Sequence, residues 1–468
     1  MIPRRSTLAL GGTHATGREW VDDFLLAGPG GDPCLTLGRR TTREDLRLLV
    51  SRRSREMRDV GIGSGTSVAL RAAPSSAYVV HLLALLRSGA RVTILDHRLT
   101  PPETDAALER LRPGFVVRGD EVSGALRGFH EIDVRVETRS DGRPAETDHT
   151  VVQVSSGSTG TPKLIGRTLE DITREITCLK RVPGMPNDGE SVVVLNSLLH
   201  SMGIFTGLFY DLHVGAEIVV PEWTTADGIL ETIARATAPT VVFGVPFHAR
   251  LMSLVSNPPD LPWLRAMATA GEILPASVVD SFRSRYGVPL GNLYGMTEVG
   301  LIAVDPTGAF SPSAGPPIPG MGVRVENGEL VVDQPTNPYL DARDSGRWSD
   351  GRLYTRDAVA IDSDTGGLTV LGRLDSQVSI GGLKVDLTEV ELALTSLRGV
   401  RGGVVLHGEG IEAFVELDDG VSVRDVEEGL AASLAPHKRP RIVHPVRRLV
   451  RTTSGKVVRD IERLRAEA

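Results

Sequence analysis

From Arg43 to about residue 300 the chain alternates short apolar runs of strand length with longer segments whose apolar residues recur at helical spacing. Thr41-Thr42-Arg43-Glu44 has the form of a capping box. Leu46, Leu49, Val50 and Met57 then follow on one helical face, so the spacing predicts a helix over 43–60. Beyond it come a strand over 67–71, an apolar helix over 77–88, a strand over 91–95, a helix over 102–111 and the strand-like Phe115-Val116-Val117. Similar alternation returns at 191–195, 217–220 and 240–243. Units of this kind join parallel neighbours by right-handed crossovers, and their strands are continuous apolar runs because helices cover both faces. The expected fold is therefore α/β, with a large N-terminal domain of doubly wound, mainly parallel sheets.

Near Ser311 the texture changes. A Pro/Gly-rich stretch over 311–322 leads into short alternating segments such as Val323-Arg324-Val325 and Glu329-Leu330-Val331-Val332, which predict a small β subdomain over 310–372. Another strand ends around Leu371-Gly372-Arg373-Leu374-Asp375, and a small α+β unit with a helix over 387–397 follows. A chain of 468 residues exceeds the size at which one core keeps growing. The expected division is an N-terminal domain over 1–372, including the β subdomain, and a small C-terminal domain over 373–468. No repeat of 20–50 residues points to a solenoid.

A formal net charge of -7 gives no general attraction to nucleic acid or to anionic membranes, so the expected partners are small molecules or proteins. No apolar run reaches the length of about 20 residues needed to span a bilayer. The two cysteines, Cys34 and Cys178, have no metal-ligand spacing and cannot build a disulfide framework. A reducing cytoplasm is the expected setting. Oligomeric state has no signature.

Directly after the apolar run ending at Val154, Ser155-Ser156-Gly157-Ser158-Thr159-Gly160-Thr161-Pro162-Lys163 packs hydroxyls, glycines and one lysine into a loop. Glycines bring backbone N–H groups up to an anion, hydroxyls donate further hydrogen bonds, and the lysine adds charge, so the loop reads as a phosphate clamp. It is not a Walker A loop, whose glycine and lysine spacing differs. A flexible Ser/Gly linker is the alternative. In Asn292-Leu293-Tyr294-Gly295-Met296-Thr297-Glu298, a carboxylate beside phosphates makes sense when Mg²⁺ lies between them, and Thr297 can bond a phosphate. The alternative is a turn in which Thr297 caps a following helix. Asp357, in Tyr354-Thr355-Arg356-Asp357, can accept two hydrogen bonds from a vicinal diol such as ribose, or be a surface turn aspartate. Lys456, in Thr452-Thr453-Ser454-Gly455-Lys456, is a catalytic cation or a solvated lysine.

In this order, together with 372–391, these segments resemble the adenylate-forming superfamily of acyl-CoA and aryl-CoA synthetases, peptide-synthetase adenylation domains and luciferases. The resemblance covers about 150–460. It implies a two-step reaction in which a carboxylic acid and ATP give acyl-AMP and pyrophosphate, and a thiol then displaces AMP. It further implies that Ser155, Ser156, Gly157, Ser158, Thr159, Gly160, Thr161 and Lys163 hold the β,γ-phosphates, Thr297 the α-phosphate, and Glu298 the Mg²⁺. Asp357 and Arg373 hold the ribose, and Asn292 and Tyr294 belong to the same ATP site. Lys456 bridges the substrate carboxylate and α-phosphate, where attack of one anion on another needs positive charge. Asp375 is the hinge of the C-terminal domain, and Gly381 and Gly382 line the thiol tunnel. Where the superfamily often has glycine after the clamp lysine and before the ribose aspartate, this chain has Leu164 and Arg356, and Ser376 and Ser379 stand where charged residues are common.

The resemblance places the acid pocket at His200, Gly271, Gly295 and Met296, with His200 as a gate to the thiol tunnel. Amino-acid-activating domains typically carry Phe-Asp where Leu199-His200 stands, which points to an aromatic or other compact acid without a paired α-ammonium. The expected acceptor is CoA, or the phosphopantetheine of a carrier protein. Pro436-His437-Lys438-Arg439-Pro440-Arg441 is a dock for either, or a solvated face. Amide-forming use of the adenylate and a non-catalytic nucleotide-binding homologue are the other readings.

Overall fold

The structure is a computed structural model describing residues 16–124, 126–155, 163–272, 274–311, 313–341, 346–380, 383–408, 410–451 and 457–468; Ser155 and Asp375 are described by backbone only. The first eight strands are β1 (Pro33–Leu37), β2 (Arg39–Thr42), β3 (Ser67–Arg71), β4 (Arg91–Leu95), β5 (Phe115–Gly119), β6 (Val134–Thr138), β7 (Val151–Ser155) and β8 (Lys163–Arg167). Six more follow as β9 (Ser191–Val194), β10 (Glu217–Val220), β11 (Thr240–Gly244), β12 (Leu264–Ala270), β13 (Leu290–Met296) and β14 (Gly300–Asp305). They form two sheets. One has six strands in the order β6-β5-β3-β4-β7-β8, the other eight in the order β14-β13-β12-β11-β9-β10-β1-β2. Pairing is parallel from β5 through β7 and from β1 through β13, while β6, β8, β2 and β14 close the edges antiparallel.

The local rules behind these elements are visible in their ends and faces. The helix Arg43–Asp59 starts where the sequence pattern places it, but Thr41 does not cap it, because Thr41 lies in β2 and pairs with Leu35 of β1. Thr42 is the cap: its hydroxyl accepts from Asp45 N at 3.2 Å, and the Asp45 carboxylate accepts from Thr42 N at 3.3 Å. The helix Ser76–Arg87 is buried at every position from Tyr78 to Leu86 and shares one core with residues of both sheets, including Val68, Val92, Leu35 and Val192. Each fully buried aliphatic side chain there stabilises the fold by about 1.5–3 kcal/mol. No helix among the described residues is long and apolar enough to cross a membrane.

Five antiparallel strands form the β subdomain: β15 (Val323–Glu326), β16 (Glu329–Asp333), β17 (Trp348–Ser349), β18 (Arg352–Ile361) and β19 (Leu368–Arg373). Its core takes in Ile165 of β8 and Ile302 of β14, which seats it beside the ends of both large sheets. The small C-terminal domain holds a hairpin of β20 (Gln377–Ile380) and β21 (Leu383–Asp386), and a sheet of β22 (Val400–His407), β23 (Ile411–Leu417) and β24 (Ile442–Pro445). Val390, Leu394, Val405, Val415, Val426 and Leu430 close a separate core under its two longer helices.

Candidate active site

In an open α/β sheet the binding crevice lies outside the carboxyl ends of the strands, where the strand order reverses. In the eight-stranded sheet β9 is followed by β10 on one side and, after the crossover, by β11 on the other. Residues leaving β9 and β11 therefore border the crevice. His200 lies on the segment leaving β9. Its Nε2 is 3.9 Å from Asp96 Oδ2, just past the carboxyl end of β4 in the other sheet. Two buried side chains hold this segment: the Tyr78 hydroxyl donates to Leu198 O at 2.8 Å, and Gln153 of β7 donates to Leu199 O at 3.2 Å and accepts from the Ser201 hydroxyl at 2.8 Å. At the end of β11, the partly buried His248 ring accepts from Val245 N at 3.2 Å, and desolvation lowers its pKa to about 4, keeping it neutral.

The remaining pocket expectations fall at neighbouring strand ends. Gly271 follows β12 with φ of +92°, which favours glycine. Gly295 is required by the hairpin: a Cβ there would lie 2.3 Å from Gly300 O of β14. Tyr294 and Met296 share the opposite face of β13 and pack against the β-subdomain core with Tyr339 and Ile302. The stretch 297–299 turns directly into β14, so the alternative of Thr297 capping a helix is replaced by a strand–turn–strand hairpin.

Ser155 and Lys163 are register partners at the ends of β7 and β8, so the clamp loop joins an antiparallel hairpin. Its members Ser156, Gly157, Ser158, Thr159, Gly160 and Thr161 lie outside the described residues, as do Gly381, Gly382 and Lys456. Lys163 Nζ stands 5.8 Å from the centroid of the Tyr339 ring. Tyr339, 5% exposed, bridges to β8 through Ile165 and donates its hydroxyl to Glu298 Oε1 at 3.0 Å. Arg347 Nη1 lies 3.6 Å from the same oxygen, while its Nε donates to Tyr354 O at 3.1 Å and its Nη2 to Thr355 O. Tyr339 and Arg347 thus tie Lys163, Glu298 and β18 into one constellation. The sequence reading passed over both.

Asp357 and Arg373 are register partners on β18 and β19, and this opposition brings Arg373 Nε within 3.4 Å of Asp357 Oδ1. The Tyr294 hydroxyl donates to Asp357 Oδ2 at 2.5 Å. Burial and the adjoining carboxylate raise the Tyr294 pKa well above the ordinary phenol value, so it stays a donor. Arg356 has φ of +63°, left-handed backbone that explains why glycine is common before this aspartate. Asn292 sits mid-way along β13 opposite Asp305. Among the described residues no three His, Cys, Asp or Glu side chains cluster as a metal cage.

At the domain junction, Asp375 lies in a single turn, Leu374–Ser376, directly after β19. The Ser376 hydroxyl donates to Arg373 O at 2.5 Å and Asp386 Oδ1 at 2.7 Å, fastening this turn to the cap of the Leu387–Thr395 helix. Two cations of the 436–441 cluster are engaged within the C-terminal domain: Lys438 Nζ pairs with Glu389 at 2.6 Å, and Arg439 donates to the carbonyls of Leu434 and Ala431 at 2.9 Å. These contacts weaken the reading of Lys438 and Arg439 as a phosphate dock.

The match of residues 25–338 to the AMP-binding enzyme model places this chain in that family. The 4-hydroxybenzoate–CoA/benzoate–CoA ligase of Rhodopseudomonas palustris is 25% identical, over 95% of this chain and 93% of the relative. The p-hydroxybenzoic acid–AMP ligase FadD22 of Mycobacterium tuberculosis is 27% identical, over 86% of this chain and 62% of the relative. The fold matches the anthranilate CoA ligase AuaEII, solved with anthranoyl-AMP, at a TM-score of 0.81 and 21% identity, over 97% of this chain and 96% of that one.

Proposed function

We propose that this chain activates an aromatic or similarly compact carboxylic acid with ATP, giving acyl-AMP and pyrophosphate, and transfers the acyl group to the thiol of CoA. The observation that carries the reading is the joining of Tyr294, Asp357 and Arg373 with Lys163, Tyr339 and Glu298 through one hairpin and one packed tyrosine. Asp357 and Arg373 take the ribose hydroxyls. Lys163 and the loop beginning at Ser155 take the β,γ-phosphates, Thr297 takes the α-phosphate, and Asn292 and Tyr294 border the nucleotide. Lys456 places positive charge between the attacking carboxylate and the α-phosphate.

Glu298 fits Mg²⁺, which binds through one or two carboxylates plus substrate phosphates and keeps several waters. Tyr339 and Arg347 both meet Glu298 at Oε1, and the ion it would hold would supply charge neutralisation to the phosphates. The acid pocket is assigned to the crevice at His200, Gly271, Gly295 and Met296. No aspartate stands in Leu199-His200 to pair an ammonium, whose burial costs several kcal/mol. We assign 1–372 and 373–468 as the moving domains, with Asp375 as hinge and Gly381-Gly382 on the thiol path. A second reading takes the phosphopantetheine of a carrier protein as the acceptor; FadD22 is named for an AMP product, without CoA.

The test is ATP–pyrophosphate exchange over a panel of aryl, short aliphatic and α-amino acids. Exchange with benzoate-type acids is expected to exceed that with α-amino acids at least tenfold. A best substrate with an α-ammonium group overturns the pocket assignment.

A further inference from the structure

The chain on either side of 452–456 is pinned at its base: Arg451 and Val457 form an antiparallel bridge, and Val458 N donates to Val450 O at 2.8 Å. Arg451 also reaches across to the large domain. Its Nη1 lies 3.6 Å from Glu272 Oε1, and its guanidinium carbon stands 5.7 Å from the centroid of the Phe247 ring. Glu272 follows the end of β12, and Phe247 follows β11 with 47% of its surface exposed. Both residues stand beside the crevice given to the acid. A second link nearby runs from Arg250 Nη1 to Arg401 O.

We infer that Arg451 is a positioning residue, which docks the base of the Lys456 loop onto Glu272 and Phe247 and so sets the C-terminal domain for adenylation. The geometry suits the task. A guanidinium satisfies a carboxylate and an aromatic face at once, whereas an ammonium is a compact point charge. Exposure of about a third at Arg451 and Glu272 makes the contact readily breakable, as a domain that must also leave this arrangement requires. Losing Arg451 therefore slows the step that needs Lys456 and leaves the thiol step, which does not use this docking, intact.

The inference rests on the adenylation role given to Lys456, and the experiment separates the two. Arg451→Ala, Arg451→Lys, Arg451→Glu, Arg451→Glu/Glu272→Arg and Lys456→Ala are compared in ATP–pyrophosphate exchange and in single-turnover thioester formation from supplied acyl-AMP. The expected result for Arg451→Ala is an about tenfold fall in exchange kcat, with KM for acid and ATP and the thioester rate each within twofold of wild type. Arg451→Lys recovers part of that loss, and adding Glu272→Arg to Arg451→Glu improves exchange. Equal loss in both half-reactions, no loss in either, or failure of the charge swap overturns the docking role. Exchange that survives Lys456→Ala instead overturns the reading of Lys456 itself.

Discussion

Arg167 and Glu175 form an ion pair with only 2% of either side chain exposed, and removing one partner gives a sharp energetic test. Arg167 ends β8, the strand that begins at Lys163, and Glu175 lies on the Leu169–Leu179 helix. Arg167 Nη1 meets Glu175 Oε2 at 2.5 Å, while Glu175 Oε1 accepts from Leu301 N of β14 at 2.7 Å. The pair therefore joins the clamp strand to the strand that follows Glu298. Gly300, at φ of +98°, leaves the carboxylate its room, since a Cβ there would lie 2.3 Å from it. Glu175→Ala strands a buried guanidinium, at a cost of about 3–5 kcal/mol, and leaves Leu301 N without its acceptor, adding about 1–3 kcal/mol. Arg167→Met/Glu175→Gln removes both charges yet keeps an acceptor for Leu301 N, so its loss should stay below about 2 kcal/mol. Equilibrium urea unfolding followed by tryptophan fluorescence reads both; Trp20 donates to Thr173 on the same helix at 2.7 Å. A loss under about 1 kcal/mol for Glu175→Ala, or a double variant worse than the single one, refutes the argument.

Three further outcomes are expected. Asp211 is fully buried with both carboxylate oxygens lacking a hydrogen-bond partner among the described residues, and burial raises its pKa well above 3.8. Above pH 3.8 the unfolded chain releases a proton that the fold retains, so stability falls by about 1.4 kcal/mol per pH unit up to the folded pKa; Asp211→Asn should flatten unfolding free energies measured at pH 5 and 7. His81, 2% exposed, has its pKa lowered by burial to about 4, so its contribution is present above pH 6.5 and lost as pH falls toward 4. Relative to wild type, His81→Leu should recover about 2–3 kcal/mol of the stability lost between pH 7 and 4.5, and an unchanged acid slope counts against this. Tyr339→Phe keeps the ring near Lys163 but removes the donor to Glu298, so pyrophosphate exchange should fall about tenfold with a stability loss of only about 1–2 kcal/mol. Unaltered exchange would show that the hydroxyl does not orient Glu298.

Elements whose pattern is local were legible in the sequence: β3, β4 and β10 have the expected bounds, because unbroken apolar runs between turn residues leave little choice. The capping box shifted by one residue because Thr41 is taken by the adjacent β1–β2 hairpin, where it pairs with Leu35, and the box spacing alone does not show which threonine the strand takes. Asp357 and Arg373 could be proposed together only through the resemblance; their opposition depends on the register of β18 and β19. Tyr339 and Arg347 carried no motif, since their partners lie on separate segments, and Tyr339 reads as an ordinary loop aromatic until Glu298 is placed beside it. Lys438 and Arg439 mislead in the opposite sense: a cluster along the chain looks cationic, yet in the fold one lysine faces Glu389 and one arginine caps helix carbonyls.

The central claim is acid activation through an adenylate followed by transfer to a thiol, and quenched-flow product analysis tests it most directly. The protein is mixed with ATP, Mg²⁺ and a benzoate-type acid, with and without CoA, and the products are separated by mass. The account predicts bound acyl-AMP and one equivalent of pyrophosphate without CoA, and AMP with acyl-CoA when CoA is added. Release of ADP and phosphate, or no acid-dependent consumption of ATP with any acid of the panel, would contradict it.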